Sequence, residues 1–167
     1  MAKLVPPSPA RLFVALLYPE IDPQPCLEAL IDLFGPFATK SSVYPIAPFS
    51  RYYEKEMGPN LQKCFIAFHD SLPMDRLADC KIATHALEER LSPDPQRRRF
   101  NIDPGLVTGY SVILSTSKNY AHRIYLRDGV YAEVTLIYQK QRFYPLPWTY
   151  PDYRAPLALE FFAGLRP

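Results

Sequence analysis

Nineteen prolines in 167 residues constrain this chain more than any other feature, because proline fixes φ, lacks an amide proton and ends or kinks a helix it enters. The fold must therefore be assembled from many short elements. The first is the run at residues 11–18 (RLFVALLY), closed by Pro19. It is too short and too uniformly apolar for a surface helix, so it is expected as a buried strand near the centre of a sheet. Residues 1–10 are expected as a disordered N-terminal segment and residues 11–167 as a single domain, a length that buries roughly two-thirds of the unfolded surface.

Residues 25–35 place Leu27, Leu30, Ile31 and Phe34 at helical spacing, with Asp22 as a cap and Gly35 as the stop. Residues 42–46, 51–57 and 61–69 are expected as strands, the last two joined through Gly58-Pro59-Asn60 as a hairpin. A second helix is expected over 73–91, ending before Pro93. Further strands are expected at 100–102, 106–115, 123–126 and 131–138, with Asp128-Gly129 as a two-residue hairpin turn. Residues 144–156 hold four prolines and are expected to be irregular, and 157–165 form a closing helix. The order β-α-β-β-α-β defines an α+β fold: a ferredoxin-like split βαβ antiparallel sheet with helices on one face, extended by C-terminal β-hairpins. The other face is left for a ligand or a second layer from residues 106–138.

A net charge of +2 is too small to attract nucleic acid or an anionic membrane by field strength. Arg97, Arg98 and Arg99 form a local basic knot, expected as a solvated turn. Three cysteines without C-x-x-C spacing signal neither a disulfide framework nor a zinc site. The apolar run at 12–18 is shorter than a signal-peptide core or a spanning helix requires. The reading is a cytoplasmic protein of bacterial type without a membrane anchor. No motif names a cofactor, and nothing sets the oligomeric state.

Candidate site residues concentrate between 97 and 154. Asn101 and Asp103 lie in Asn-Ile-Asp-Pro-Gly, which first reads as a tight turn and otherwise as two polar ends pointing into a pocket. Lys118, His122 and Arg123 follow Ser115, Thr116 and Ser117; cations, hydroxyls and turn amides are what a phosphate or carboxylate needs. Trp148, Tyr150 and Asp152 belong to Trp-Thr-Tyr-Pro-Asp-Tyr, either a lid over the core or an aromatic wall for a stacked ring. His122 is a candidate acid or base, with Glu56 or Glu133 as its partner. On the second helix, Lys81, Thr84, His85 and Glu88 share a face that is expected to be wet; turned inward, it would be a buried polar network.

Taken in order, Arg51-Tyr-Tyr-Glu-Lys-Glu-Met-Gly58, Asn101-Ile-Asp-Pro-Gly105, Lys118-Asn-Tyr-Ala-His-Arg-Ile-Tyr125, Gly129-Val-Tyr-Ala-Glu-Val-Thr-Leu136 and Trp148-Thr-Tyr-Pro-Asp-Tyr153 resemble the four-four-one-six domain-of-unknown-function family over nearly the whole chain. Some members of that family carry the label GTP-binding protein. A P-loop needs G-x-x-x-x-G-K-[ST] between a strand and a helix, and the six glycines, at 35, 58, 105, 109, 129 and 164, provide none. The expected function is binding of an anionic small molecule, such as a nucleotide or another phosphate-containing ligand, without a P-loop. Two alternatives stay open: an enzyme acting at a phosphate or carboxyl group through His122, and an RNA- or protein-interaction module using the Arg97 to Arg99 knot.

Overall fold

A computed structural model describes residues 3–94 and 97–167. The run RLFVALLY forms β1 (Ala10–Tyr18), in which every residue except Arg11 is buried. It lies between β4 (Gln62–Leu72) and β5 (Asn101–Val107), antiparallel to both. A strand hydrogen-bonded on two sides and covered on two faces has no solvent side, which is why its sequence shows no polar alternation.

The helices α1 (Gln24–Phe34) and α3 (Leu77–Leu91) cover one face of the sheet. There Leu12, Val14 and Leu16 of β1 meet Cys26, Leu30, Cys80 and Leu87. Asp22 Oδ1 accepts the Gln24 amide at 3.0 Å, and Gly35, at φ +85°, sends its amide back to the Ile31 carbonyl at 2.8 Å. The opposite face is covered by a fourth helix, α4 (Pro156–Leu165). Its Phe162 meets Phe13 edge-on at 4.8 Å and stacks on Tyr153 at 5.7 Å. Helices on one face only were expected; the odd residues Phe13 and Ala15 are as apolar as the even ones and need equal cover.

Between α1 and β4 lie β2 (Phe37–Lys40), β3 (Tyr44–Pro45) and α2 (Glu54–Met57). The strand expected over 51–57 is replaced by a turn and this single helical turn. The amides of Glu56 and Met57 bond the Tyr53 carbonyl, that of Gly58 bonds Glu54, and Gly58 ends the turn at φ +86°. Glu, Lys and Met favour helix when no neighbouring strand is present, so the expected hairpin does not form and β4 pairs with β1, β2 and β3 instead.

The later strands are β6 (Ser111–Thr116), β7 (Ile124–Arg127), β8 (Val130–Gln139) and β9 (Arg142–Pro145). The sheet order is β2-β4-β1-β5-β6-β8-β7, with β3 on β4 and β9 on β8. The 106–115 segment is not one strand. It turns at 108–110, where Thr108 Oγ1 accepts the amides of Tyr110 and Ser111 at 3.0 and 2.9 Å. Asn101 to Gly105, expected as a turn, lies within β5. Pro104 is tolerated there because the β5–β6 ladder stops at Gly105↔Leu114, and the Ser115 hydroxyl donates to the Pro104 carbonyl at 2.7 Å instead.

Asp128 and Gly129 adopt φ +50° and +77°, the two positive values that a tight hairpin needs, and join β7 to β8. Lys140 and Gln141 do the same at +45° and +63° between β8 and β9, without an Asn-Gly or Asp-Gly signal. Among the described residues, no helix is long and apolar enough to cross a membrane. Cys26, Cys64 and Cys80 are free and buried. Burial pushes their thiols up to about 12, 11 and 11 respectively, far from the thiolate form that reacts.

Candidate functional site

On the Phe13 face, beyond the end of α4, the sheet leaves a cavity of about 370 Å³. It is enclosed by residues 46–53, the 117–123 connection between β6 and β7, the 146–155 loop, and side chains of β1, β4, β5 and β6. Asn101, Asp103, Lys118, His122, Arg123, Trp148, Tyr150 and Asp152 all line it.

Asn101 and Asp103 share a side of β5 because strand side chains alternate. Asn101 Nδ2 donates to Asp103 Oδ2 at 2.6 Å, and Asp103 Oδ1 receives Lys81 Nζ at 2.9 Å. Lys81 also donates to the Ile102 carbonyl at 3.1 Å. Its helix face is turned inward: Lys81, Thr84 and Glu88 are buried, contrary to the wet face expected, while His85 stays exposed. Burial opposes ionisation of Asp103, but the Lys81 charge and the bonds from Lys81 and Asn101 outweigh it and hold the carboxyl below the usual aspartate value. Burial likewise opposes the Lys81 ammonium, and Asp103 with Glu88 more than offsets it. Glu88 receives the Ile102 amide at 2.5 Å, yet burial raises its pKa.

The 118–123 loop is organised by Arg123. Its Nε donates to Glu133 Oε2 at 2.7 Å, Nη1 to the Lys118 carbonyl at 2.9 Å and Nη2 to the Tyr150 hydroxyl at 3.0 Å. Glu133 is 1% exposed and also faces His122 Nε2 at 3.2 Å. The imidazole lies nearly parallel to the rings of Trp148 at 5.1 Å and Tyr120 at 6.2 Å. The Arg123–Tyr150 bond and the His122–Trp148 stack therefore join the two loops over one cavity.

The proline-rich loop keeps its shape through polar clamps. Thr149 Oγ1 accepts the Leu146 amide at 2.7 Å and donates to the Thr135 carbonyl at 2.5 Å. Arg154 donates to the carbonyls of Thr149, Leu146 and Pro147, and the Trp148 indole donates to Val134 at 2.8 Å. Thus the segment that was expected to be irregular is fixed, with its first two residues in β9 and Pro151–Arg154 in a 3-10 turn.

Sequence reasoning missed Lys63, whose Nζ meets Asp152 Oδ2 at 2.5 Å, and Tyr44, which donates to the same oxygen at 3.0 Å. A lone lysine at the head of the apolar CFIAF run of β4 was the available signal. Tyr52 and Tyr53 line the cavity from the 51–57 segment. Lys118 Nζ donates to the Tyr52 hydroxyl at 2.9 Å, which lowers that phenol's pKa. Glu56 lies elsewhere, paired with Arg98 at 3.1 Å. Arg98 also meets Glu88, so the middle cation of the basic knot is neutralised. Among the described residues, no cluster of three or more His, Cys, Asp or Glu side chains is placed to hold a metal ion.

The fold and cavity define an α+β domain with an antiparallel sheet and an aromatic-walled polar site. The chain belongs to the family Domain of unknown function (DUF4416), whose model matches residues 8–167. No curated protein and no solved structure matches it.

Proposed function

We propose that this protein binds a small anionic molecule carrying a flat ring, without a P-loop. The observation that carries this reading is the meeting of the 118–123 loop with the Trp148 loop, which sets the Lys118 ammonium and the rings of Tyr120, Trp148 and Tyr150 around one cavity. Its volume falls within the range of small-ligand sites, roughly 300–1,000 Å³. Aromatic faces stack on any planar ring, and an exposed lysine supplies a point charge for its anionic group. Thermal-shift measurement against ring-bearing anions, nucleotides among them, is the test. A ligand at a hundred times its dissociation constant adds about 2.7 kcal/mol, and Trp148→Ala should cut that gain. Failure of every ring-bearing anion to raise the melting temperature would count against binding.

A second reading makes the site catalytic, with His122 as the acid or base. The pair His122 Nε2···Glu133 Oε2 at 3.2 Å supports it, since a buried carboxylate fixes an imidazole's tautomer and orientation. The strand order β2-β4-β1-β5, with α1 and α3 on one face, supports a split βαβ core of ferredoxin-like type, extended by the later hairpins. Three free cysteines favour a reducing compartment such as the bacterial cytoplasm.

A further inference from the structure

We infer that the ligand is a singly charged ring carboxylate rather than a nucleoside polyphosphate; this rests on the binding reading above and narrows it. The argument is one of charge compensation. Lys63 is matched by Asp152 at 2.5 Å and Arg123 by Glu133 at 2.7 Å, while Asp103 is matched by Lys81 at 2.9 Å. Each of these charges already has its partner, with little or no water around most of them, and separating a buried pair costs more than a new contact to one member returns. Arg123 is further committed, because all three of its guanidinium nitrogens donate within the protein.

One cation is left. Among the described residues, Lys118 makes no ion pair and donates a hydrogen bond to a phenol, Tyr52. It is exposed, so it can turn to an incoming anion without leaving a buried charge behind. A single free ammonium balances a single negative charge.

Polyphosphate binding needs more than that. It draws on several cations or a metal, together with backbone amides brought close by glycines at a turn or helix start. Among the described residues, none that lines this cavity is a glycine. Two of its walls carry Asp103 and Asp152, whose carboxylates hold Lys81 and Lys63, so neither lysine is offered to an added phosphate. The remaining lining is largely aromatic, and Phe49, Tyr53, Tyr120, Trp148 and Tyr153 provide ring faces. A flat ring bearing one carboxylate satisfies both features.

Isothermal titration of the full chain with 2-naphthoate, 2-naphthamide, guanosine, GMP and GTP tests this. The expected result is that 2-naphthoate binds at least about tenfold more tightly than its neutral amide, and that affinity falls from GMP to GTP. Lys118→Met should erase the naphthoate advantage while leaving 2-naphthamide binding within about twofold, since the substitution keeps the apolar stem. Equal binding of acid and amide, or affinity that rises with each phosphate, overturns the inference and leaves ring binding intact. If naphthamide, naphthoate and guanosine all fail to bind, ring binding itself falls and this inference falls with it.

Discussion

Lys63 and Asp152, 89 residues apart in sequence, meet at 2.5 Å on the wall of the cavity. Their side chains are only 12% and 5% exposed. The lysine also sits 4.7 Å from the centre of the Tyr153 ring. This pair ties β4, the neighbour of β1 in the sheet, to the proline-rich loop. Removing one partner strands the other in a poorly hydrated place, which typically costs about 3–5 kcal/mol. Asp152→Ala should lose stability of that order in guanidinium denaturation, and Lys63→Met in the same chain should restore most of it. A single variant as stable as the double one would mean that the charges are not desolvated.

Asp103 gives the protein an acid limb. Its folded pKa lies below the usual value, about 3.9 for an unperturbed aspartate. Its contribution is therefore complete above about pH 4 and is lost as pH falls through the folded value. Lys81, raised by the same pair, holds its contribution below about pH 10 and loses it as pH rises through its raised value. Glu88 runs the other way, because burial raises its carboxyl and its ionisation costs stability as pH climbs. The stability gap between wild type and Asp103→Asn in urea should be flat between about pH 5 and 9 and close below about pH 4. A gap unchanged at pH 2 would exclude the pair as its source.

Gly105 is set by space rather than by backbone conformation. A Cβ built there would lie 2.5 Å from the Ile113 carbonyl oxygen and 2.5 Å from the Phe13 ring. The carbonyl belongs to the neighbouring strand and the ring is fully buried, so neither yields easily. Gly105→Ala should cost at least about 1–3 kcal/mol, the usual penalty for overpacking. Because Asp103 is two residues away on the same strand, the variant should also weaken any ligand bound in the cavity.

Trp148 is the only tryptophan in the chain, and its ring faces His122 at 5.1 Å. A ring entering the cavity must change its surroundings, so intrinsic fluorescence should report binding of 2-naphthamide directly. Stacked rings contribute about 1–3 kcal/mol each, and Trp148→Ala should weaken that binding accordingly. Thermal melts of the ligand-free variant separate lost binding from lost folding.

The elements most legible in the sequence were those fixed by local chemistry. RLFVALLY, the Gly35 stop and the Asp128-Gly129 turn are each determined by neighbours a few residues away. The errors arose where distant partners decide. Asn-Ile-Asp-Pro-Gly has turn composition, yet pairing with β1 makes it a strand. Residues 51–57 alternate like a strand, yet among the described residues no strand lies beside them to pair with. The candidate site residues lie together because polar and aromatic side chains were dense in two loops. Lys63 escaped notice because its partner is 89 residues away, and the inward face of Lys81 and Glu88 because nothing local distinguishes it from a wet helix face.

The face of β1 that carries Phe13 and Ala15 is covered by Tyr153 and Phe162, which follow every strand in chain order. A ribosome therefore delivers the whole sheet before it delivers either cover. Until they emerge, the nascent chain presents a bare apolar surface of the kind that aggregates or recruits chaperones. Tyr153 shields that surface and lines the cavity at once, so the residue that completes the cavity's wall also helps to close that exposed interval in the protein's synthesis.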